Sequence, residues 1–290
     1  MNLIIPHGKV PEVLLLGNGI NRAYNFMSWG ELLNSISTEE NAGVRLYNVP
    51  APLQAVILTN DEVDTNLKKI SQQLIDAKAS AEEENVLRSI AKLPFDAVLT
   101  TNYTYEFEKA LCTDFKVTFG KSSKYRKNTS GESIKQPCKN MYTYFDIPGF
   151  EKPIWHVHGE AAIVNSMILG HYYYGKILSG MDSYLESLIR RYTLSKSNKN
   201  SFECRSWIDY FLIGNITIMA LGLDFSEIDL WWLINAKKRR FPDTKITFYK
   251  PDITPEQGML AKAYGVKVIK HDLNCWYKSY YDELILNFDK

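Results

Sequence analysis

Short apolar runs and longer stretches of helical period take turns along this chain. Residues 12–16 (Glu-Val-Leu-Leu-Leu) form an apolar run stopped by Gly17-Asn18-Gly19, the pattern of a buried strand entering a glycine turn. A helical pattern follows from about Asn21 to Ser35. Residues 61–93 predict two helices. Leu67, Ile70, Leu74 and Ile75 recur at helical spacing, and Ser80 with Glu83 three residues later forms a capping box that announces the second. Residues 95–100 predict another strand, ending at Thr101-Asn102-Tyr103, with a helix from about Tyr105 to Leu111. Residues 153–158 (Pro-Ile-Trp-His-Val-His) alternate as a strand does and end at Gly159. Helices are expected at 172–192 and 204–213, on either side of a polar stretch, Ser195 to Ser201, that reads as a disordered connection. A strand at 216–221, Gly222, a helix from Ser226 to about Lys238, a strand at 245–249, a helix near 255–264, a strand at 266–269 and a helix at 277–287 complete the pattern.

Strands alternating with helices imply an α/β fold, a mainly parallel sheet covered on both faces. Such sheets bind ligands at the carboxyl ends of their strands, near the point where the strand order reverses. Four expected strand ends carry small or polar residues: Gly17-Asn18-Gly19, Thr101-Asn102-Tyr103, His158-Gly159 and Gly222. These four ends are expected on one rim.

Composition narrows the function classes. The chain has 290 residues, with 34 Lys+Arg against 33 Asp+Glu, so no global charge draws it to nucleic acid or to an anionic membrane. Its 45% apolar and 23% charged residues exclude wholesale disorder and a collagen-like or disulfide-built scaffold. No run approaches the ~18 consecutive apolar residues of a membrane span. The first residues lack a basic region followed by an apolar stretch, so no signal peptide is expected. Cys112, Cys138, Cys204 and Cys275 are too widely spaced for a zinc ribbon and suit a reduced, cytoplasmic protein. Residues 120–142 gather Lys121, Lys124, Arg126, Lys127, Lys135 and Lys139 around one Glu. They read either as a solvated surface loop or as a basic flap over an anionic ligand.

Four segments carry candidate chemistry. Gly17-Asn18-Gly19 between a strand and a helix can set backbone N–H groups against a pyrophosphate, with Arg22 adding a charged contact; a plain strand-to-helix turn wants the same glycines. Asn102 at a strand end can orient a ribose hydroxyl or a water, or can simply serve a turn. His156 and His158 share a strand face, but no third metal ligand stands near them; His158, followed by a glycine that lets a ligand approach, is the better candidate base. Gly222 to Asp229 reads as a strand end leading into a helix capped by Ser226 and Asp229, which leaves Gly222 and Asp224 unexplained. No nucleophile elbow, Walker loop or H-E-x-x-H motif occurs. The aromatic runs Tyr172-Tyr173-Tyr174 and Trp231-Trp232 suit either the core or an oligomer interface.

Taken in order, Gly17-Asn18-Gly19, Thr101-Asn102-Tyr103, His158-Gly159 and Gly222 to Asp229 resemble the sirtuin-like family, in its divergent bacterial branch that consumes NAD+ in antiphage defence. The likeness spans roughly residues 12–250. It implies a single Rossmann-like NAD-binding domain over residues 1–290, with a helical insertion at about 36–93 and a basic loop insertion at about 120–150. It implies Asn102 and His158 as catalytic residues, and Gly17, Asn18, Gly19, Arg22, Thr101, Tyr103, Gly222 and Asp224 as NAD-binding ones, with NAD+ as substrate and no metal. Glu108 falls where the defence proteins often carry an acidic residue and reads as structural. Three departures stand out. The four-cysteine zinc module of the deacylases is missing, which points to a NAD+ glycohydrolase. Thr104 replaces the family's aspartate two residues after the asparagine, and Asp224 replaces a small polar residue. A sensor that binds NAD+ or ADP-ribose without cleaving it is the alternative. A defence NADase must stay silent until triggered, so a homo-oligomer or a separate defence partner, released by a phage-derived trigger, is expected, with no membrane association.

Overall fold

Alternation along one central strand sets the two layers of the core. The computed structural model describes residues 3–24, 26–121, 123–130, 133–270 and 277–288. Its first strands are β1 (Ile4–Ile5), β2 (Glu12–Leu16) and β3 (Ala97–Thr100). Successive side chains of a strand point to opposite faces. Val13 and Leu15 therefore enter one apolar cluster and Leu14 and Leu16 the other. On β3, Leu99 joins the first cluster and Val98 the second.

The remaining strands are β4 (Arg126–Asn128), β5 (Thr143–Phe145), β6 (Ile154–His156), β7 (Phe202–Glu203), β8 (Asn215–Met219), β9 (Ile246–Tyr249) and β10 (Val266–Ile269). Eight of them form one sheet in the order β10-β9-β8-β2-β3-β6-β5-β4, and β1 pairs with β7 separately. From β10 to β6 the pairing is parallel, and β5 and β4 run antiparallel along one edge. The chain leaves β2 toward β3 on one side and later returns to β8 on the other, so the order reverses between β2 and β8. Leu16 stands opposite both Thr100 and Met219, so β2, β3 and β8 finish level.

Helices cover both faces of this Rossmann-like sheet. They are α1 (Gly19–Ala23), α2 (Trp29–Ile36), α3 (Ala51–Thr59), α4 (Val63–Asp76), α5 (Ala81–Lys92), α6 (Glu106–Leu111), α7 (His171–Ser197), α8 (Trp207–Ile213), α9 (Ile228–Arg240), α10 (Pro255–Ala263) and α11 (Tyr277–Asn287). Residues of α2 to α6 and α11 enter the cluster with Leu14, and residues of α7 to α10 the cluster with Val13.

Several expectations need correction. The single helix over 21–35 is two helices, because Ser28 and Glu31 form a second capping box that restarts the chain after α1. Helix α3 was not foreseen, since Ala-Pro-Leu-Gln-Ala-Val-Ile-Leu-Thr is apolar without a clear period. Helix α7 continues through Ser195–Ser197, so the polar stretch is partly helical. The basic segment is neither a plain loop nor a flap: it supplies the antiparallel edge through β4, and none of its described residues lines the large cavity described below. Tyr174 and Trp231 pack in the core, whereas Tyr172 is exposed. Cys112, Cys138 and Cys204 are free thiols, and Cys275 lies outside the described residues. Among the described residues no helix is long and apolar enough to cross a membrane.

One buried cation ties α9 to the end of α8. Lys237, 1% exposed, donates to the carbonyls of Phe211 (3.0 Å), Leu212 (2.9 Å) and Gly214. Carbonyls in the last turn of a helix lack partners within the helix, and the ammonium satisfies them. Burial pushes its pKa down to about 7. Lys237→Met should therefore destabilise the protein by about 1–3 kcal/mol through the stranded carbonyls. Denaturant unfolding checks this, and an unchanged midpoint would contradict it.

Candidate active site

A cavity of about 860 Å³ opens at the carboxyl ends of the central strands. That volume lies within the ~300–1,000 Å³ typical of small-molecule sites. Asn18, Gly19 and Arg22 line it from the β2 end, Thr101 to Thr104 from the β3 end, His158 from the β6 end, and Gly222, Asp224 and Glu227 from the β8 end. The structure thus brings together Asn102, His158, Asn18, Gly19, Arg22, Thr101, Tyr103, Gly222 and Asp224. Gly17 lies behind them and does not line the cavity.

The glycine turn is shaped by its neighbour strand. Gly17 N donates to Met219 O (2.9 Å) and Gly19 N to Ala220 O (2.7 Å). A Cβ at Gly17 would stand 2.5 Å from Ala220 O, so only glycine allows this approach. Ala220 is held at φ +56°, a left-handed conformation that an L-residue adopts only under constraint. The N–H groups of Gly17 and Gly19 are therefore committed to main-chain partners. Neither amide is free to face a pyrophosphate, and of this segment it is Asn18, Gly19 and Arg22 that line the cavity.

The loop carrying Asn102 is pinned on several sides. Asn102 N donates to Thr100 Oγ1 (3.1 Å), and Ala161 N donates to Tyr103 O (2.8 Å). The Tyr103 hydroxyl donates to Ile168 O (2.9 Å), which anchors the loop rather than facing a ligand. Asn102 Oδ1 is buried and has no protein partner. Thr104, where the resemblance expects an aspartate, is 4% exposed on the same wall.

His158 is 5% exposed, and its Nε2 lies 2.9 Å from Oδ2 of the fully buried Asp229. Burial alone would lower the imidazole pKa, but the Asp229 carboxylate outweighs it and holds the value above the ordinary one. This pairing overturns the capping-box reading of α9. Asp229 faces His158, Glu227 occupies the cap position without a side-chain bond to the helix, and Ser226 Oγ donates to Asp224 Oδ1 (2.7 Å). Asp224 also accepts from Ser226 N (2.9 Å), so it shapes the turn before α9.

Sequence reasoning missed Asp229 as the partner of His158, and missed Glu227, Tyr174 and Lys250 on the cavity wall. Burial pushes the Glu227 carboxyl up to about 7 against the pull of His158, and its Oε2 has no protein partner. Lys250 Nζ donates to Gly222 O (2.5 Å). The sequence signal for Asp229 is an acidic residue three after Ser226, and that spacing suits a capping box equally well. Among the described residues no group of three or more His, Cys, Asp or Glu side chains could hold a metal ion.

Gly159 follows His158 at φ +88°, where a Cβ would lie 2.1 Å from Ser166 O. Gly159→Ala must therefore push the chain after His158 aside. We expect a clear fall in thermal midpoint, and an unchanged midpoint would contradict it. Asp229→Asn should lower the His158 pKa, since burial then acts with only Glu227 left to oppose it. In the parent, a folded pKa above the unfolded one means that the pairing contributes stability fully present below about pH 6.5 and lost as pH rises through the folded value. A 15N-edited titration of the imidazole in both proteins checks the shift.

No family model matches the chain. A stretch of 159 residues, 54% of this chain, is 26% identical to the NAD(+) hydrolase ThsA of Acinetobacter baumannii, and it spans 29% of that protein. Among solved structures the chain is similar to a Sir2 homologue in complex with ADP-ribose, at 12% identity and a TM-score of 0.36, over 95% of this chain and 90% of that one. By sequence, this chain is thus similar over just over half its length to an NAD(+) hydrolase.

Proposed function

We propose that this chain is a sirtuin-like NAD+ glycohydrolase, releasing nicotinamide and ADP-ribose. The observation that carries the reading is the placement of an oriented imidazole, His158 on Asp229, in one dinucleotide-sized cavity with the unpartnered Oδ1 of Asn102. The likeness to an NAD(+) hydrolase supports it.

The chemistry needs little more than these groups. The C1′–N1 bond of NAD+ breaks and its electron pair leaves with neutral nicotinamide, so no general acid is required. The ribose passes through an oxocarbenium-like state, as sugars do in glycoside hydrolysis. Asn102 Oδ1 accepts a hydrogen bond from the attacking water or a ribose hydroxyl and fixes its position. The water oxygen bonds to C1′, and its proton goes to His158. With Nε2–H directed to Asp229, Nδ1 is the nitrogen left to take that proton. Because Asp229 raises the His158 pKa, turnover is expected to rise with pH through that raised value. Among the described residues, Arg22 and Lys250 are the cations lining the cavity and would offset the pyrophosphate charge.

In the cell this activity would serve antiphage defence by NAD+ depletion, held silent by self-assembly or a partner protein until a phage-derived trigger acts. A non-cleaving NAD+ or ADP-ribose sensor is the second reading, favoured by Thr104 standing on the wall where the family carries a carboxylate.

Nicotinamide release, followed by chromatography, tests the first reading. Purified protein should release nicotinamide from NAD+, and Asn102→Ala and His158→Ala should each lower the rate by about 10²-fold or more. Asn102→Ala should keep the parent's thermal midpoint, whereas His158→Ala, which strands the buried Asp229, should lower it while the protein still folds. Saturable ADP-ribose binding without release would leave a hydrolase awaiting its activator or the sensor, and release on adding a partner or trigger would single out the hydrolase. Neither binding nor release would sink both readings.

A further inference from the structure

The second histidine of His156-Val157-His158 does not face the cavity, yet it touches the residue that does. His156 is 5% exposed, and its Nδ1 lies 2.7 Å from the main-chain oxygen of Asn102. Its Nε2 lies 2.7 Å from Oε1 of Glu108, which is 1% exposed on α6. A carbonyl oxygen only accepts, so Nδ1 carries a hydrogen. Burial alone would lower the imidazole pKa, but the Glu108 carboxylate facing Nε2 outweighs it and holds the value above the ordinary one. The rings of Tyr105 and Phe145, with centroids 5.5 and 5.3 Å away, wall the imidazole in.

The main chain of Asn102 is thus gripped at both ends, its N–H by Thr100 Oγ1 and its C=O by His156. What remains is the side-chain amide, whose Oδ1 is the buried, unpartnered atom on the cavity wall. A core needs only an apolar residue where His156 stands. A buried imidazole bridging a carboxylate to this one carbonyl carries a desolvation penalty that an apolar side chain would avoid. We propose that His156, held by Glu108, is a positioning residue that fixes the Asn102 peptide and so sets the direction in which the Asn102 amide enters the cavity. Glu108, which reads as structural in the sequence, is then the outer half of that device.

The proposal rests on the reading of Asn102 as an active-site residue, and two separate readouts keep their failures apart. The first needs no activity. The side-chain amide signal of Asn102 is identified in a 15N-labelled sample by its loss in Asn102→Ala. It should shift in Glu108→Gln and His156→Leu and return toward the parent position in His156→Gln, whose amide can still donate to the Asn102 carbonyl. The second readout is the kcat-against-KM split for nicotinamide release. Glu108→Gln and His156→Leu should lower kcat by on the order of 10²-fold with KM nearly unchanged, as expected of a misplaced group, and His156→Gln should recover part of that loss.

An unmoved Asn102 signal in folded Glu108→Gln overturns the proposal, even if His156→Leu does not fold. Losses of rate in His156→Leu and His156→Gln that simply follow their stability also overturn it. A shifted signal in a protein whose parent releases no nicotinamide upholds the positioning role and counts against the hydrolase reading alone.

Discussion

The His158–Asp229 hydrogen bond is the contact on which the site depends. It joins the segment after β6 to the first turn of α9 after β8, two strands that β2 and β3 separate in the sheet. At ~4.8 Å per strand, those ends stand roughly 14 Å apart. The bond reaches across the ends of β2 and β3, where the cavity lies. To bring α9 there the chain must turn sharply after β8, and the left-handed Ala220 and Leu223 mark that turn. The same turn aims Ala220 O at Gly19 N, and it leaves no room for a side chain at Gly17. A fully buried carboxylate without a cation nearby would favour its neutral form. Paired with an imidazole, it instead holds that imidazole in one orientation.

Two histidines two residues apart thus do different work because the strand ends between them. His156 lies on β6 and is enclosed between aromatic rings, Glu108 and the Asn102 carbonyl. His158 lies past the strand end and lines the cavity. A further buried pair, Arg126 to Glu160 at 2.6 Å, ties edge strand β4 to the loop after His158, and Tyr105 donates to the same carboxylate at 2.9 Å. The basic segment, remote from the cavity itself, therefore braces the loop that carries His158.

Much of the fold is legible in the sequence, and the reason is periodicity. Strands β2 and β10 and helix α5 were readable because short apolar runs bounded by a glycine at one end, and a capping box at Ser80-Glu83, leave few alternatives. Helix α3 was not readable, since an apolar run without period suits either element. The meeting of the four strand ends followed from the parallel topology and held. The partners of the key side chains were not legible. Asp229 has the right spacing for a cap, and its distance of 71 residues from His158 carries no sequence signal. The commitment of the Gly17 and Gly19 amides was equally hidden, because a G-x-G turn looks the same whether it faces a phosphate or a neighbouring strand.

The central claim is that the strand-end cavity holds a dinucleotide with its ribose between Asn102 and His158. A crystal structure of the protein with ADP-ribose at saturating concentration tests this most directly. The account predicts the ligand in the cavity, with ribose hydroxyls within hydrogen-bond reach of Asn102 Oδ1 and of the His158 nitrogen turned away from Asp229. A ligand bound elsewhere, or an empty cavity at saturation, would contradict it.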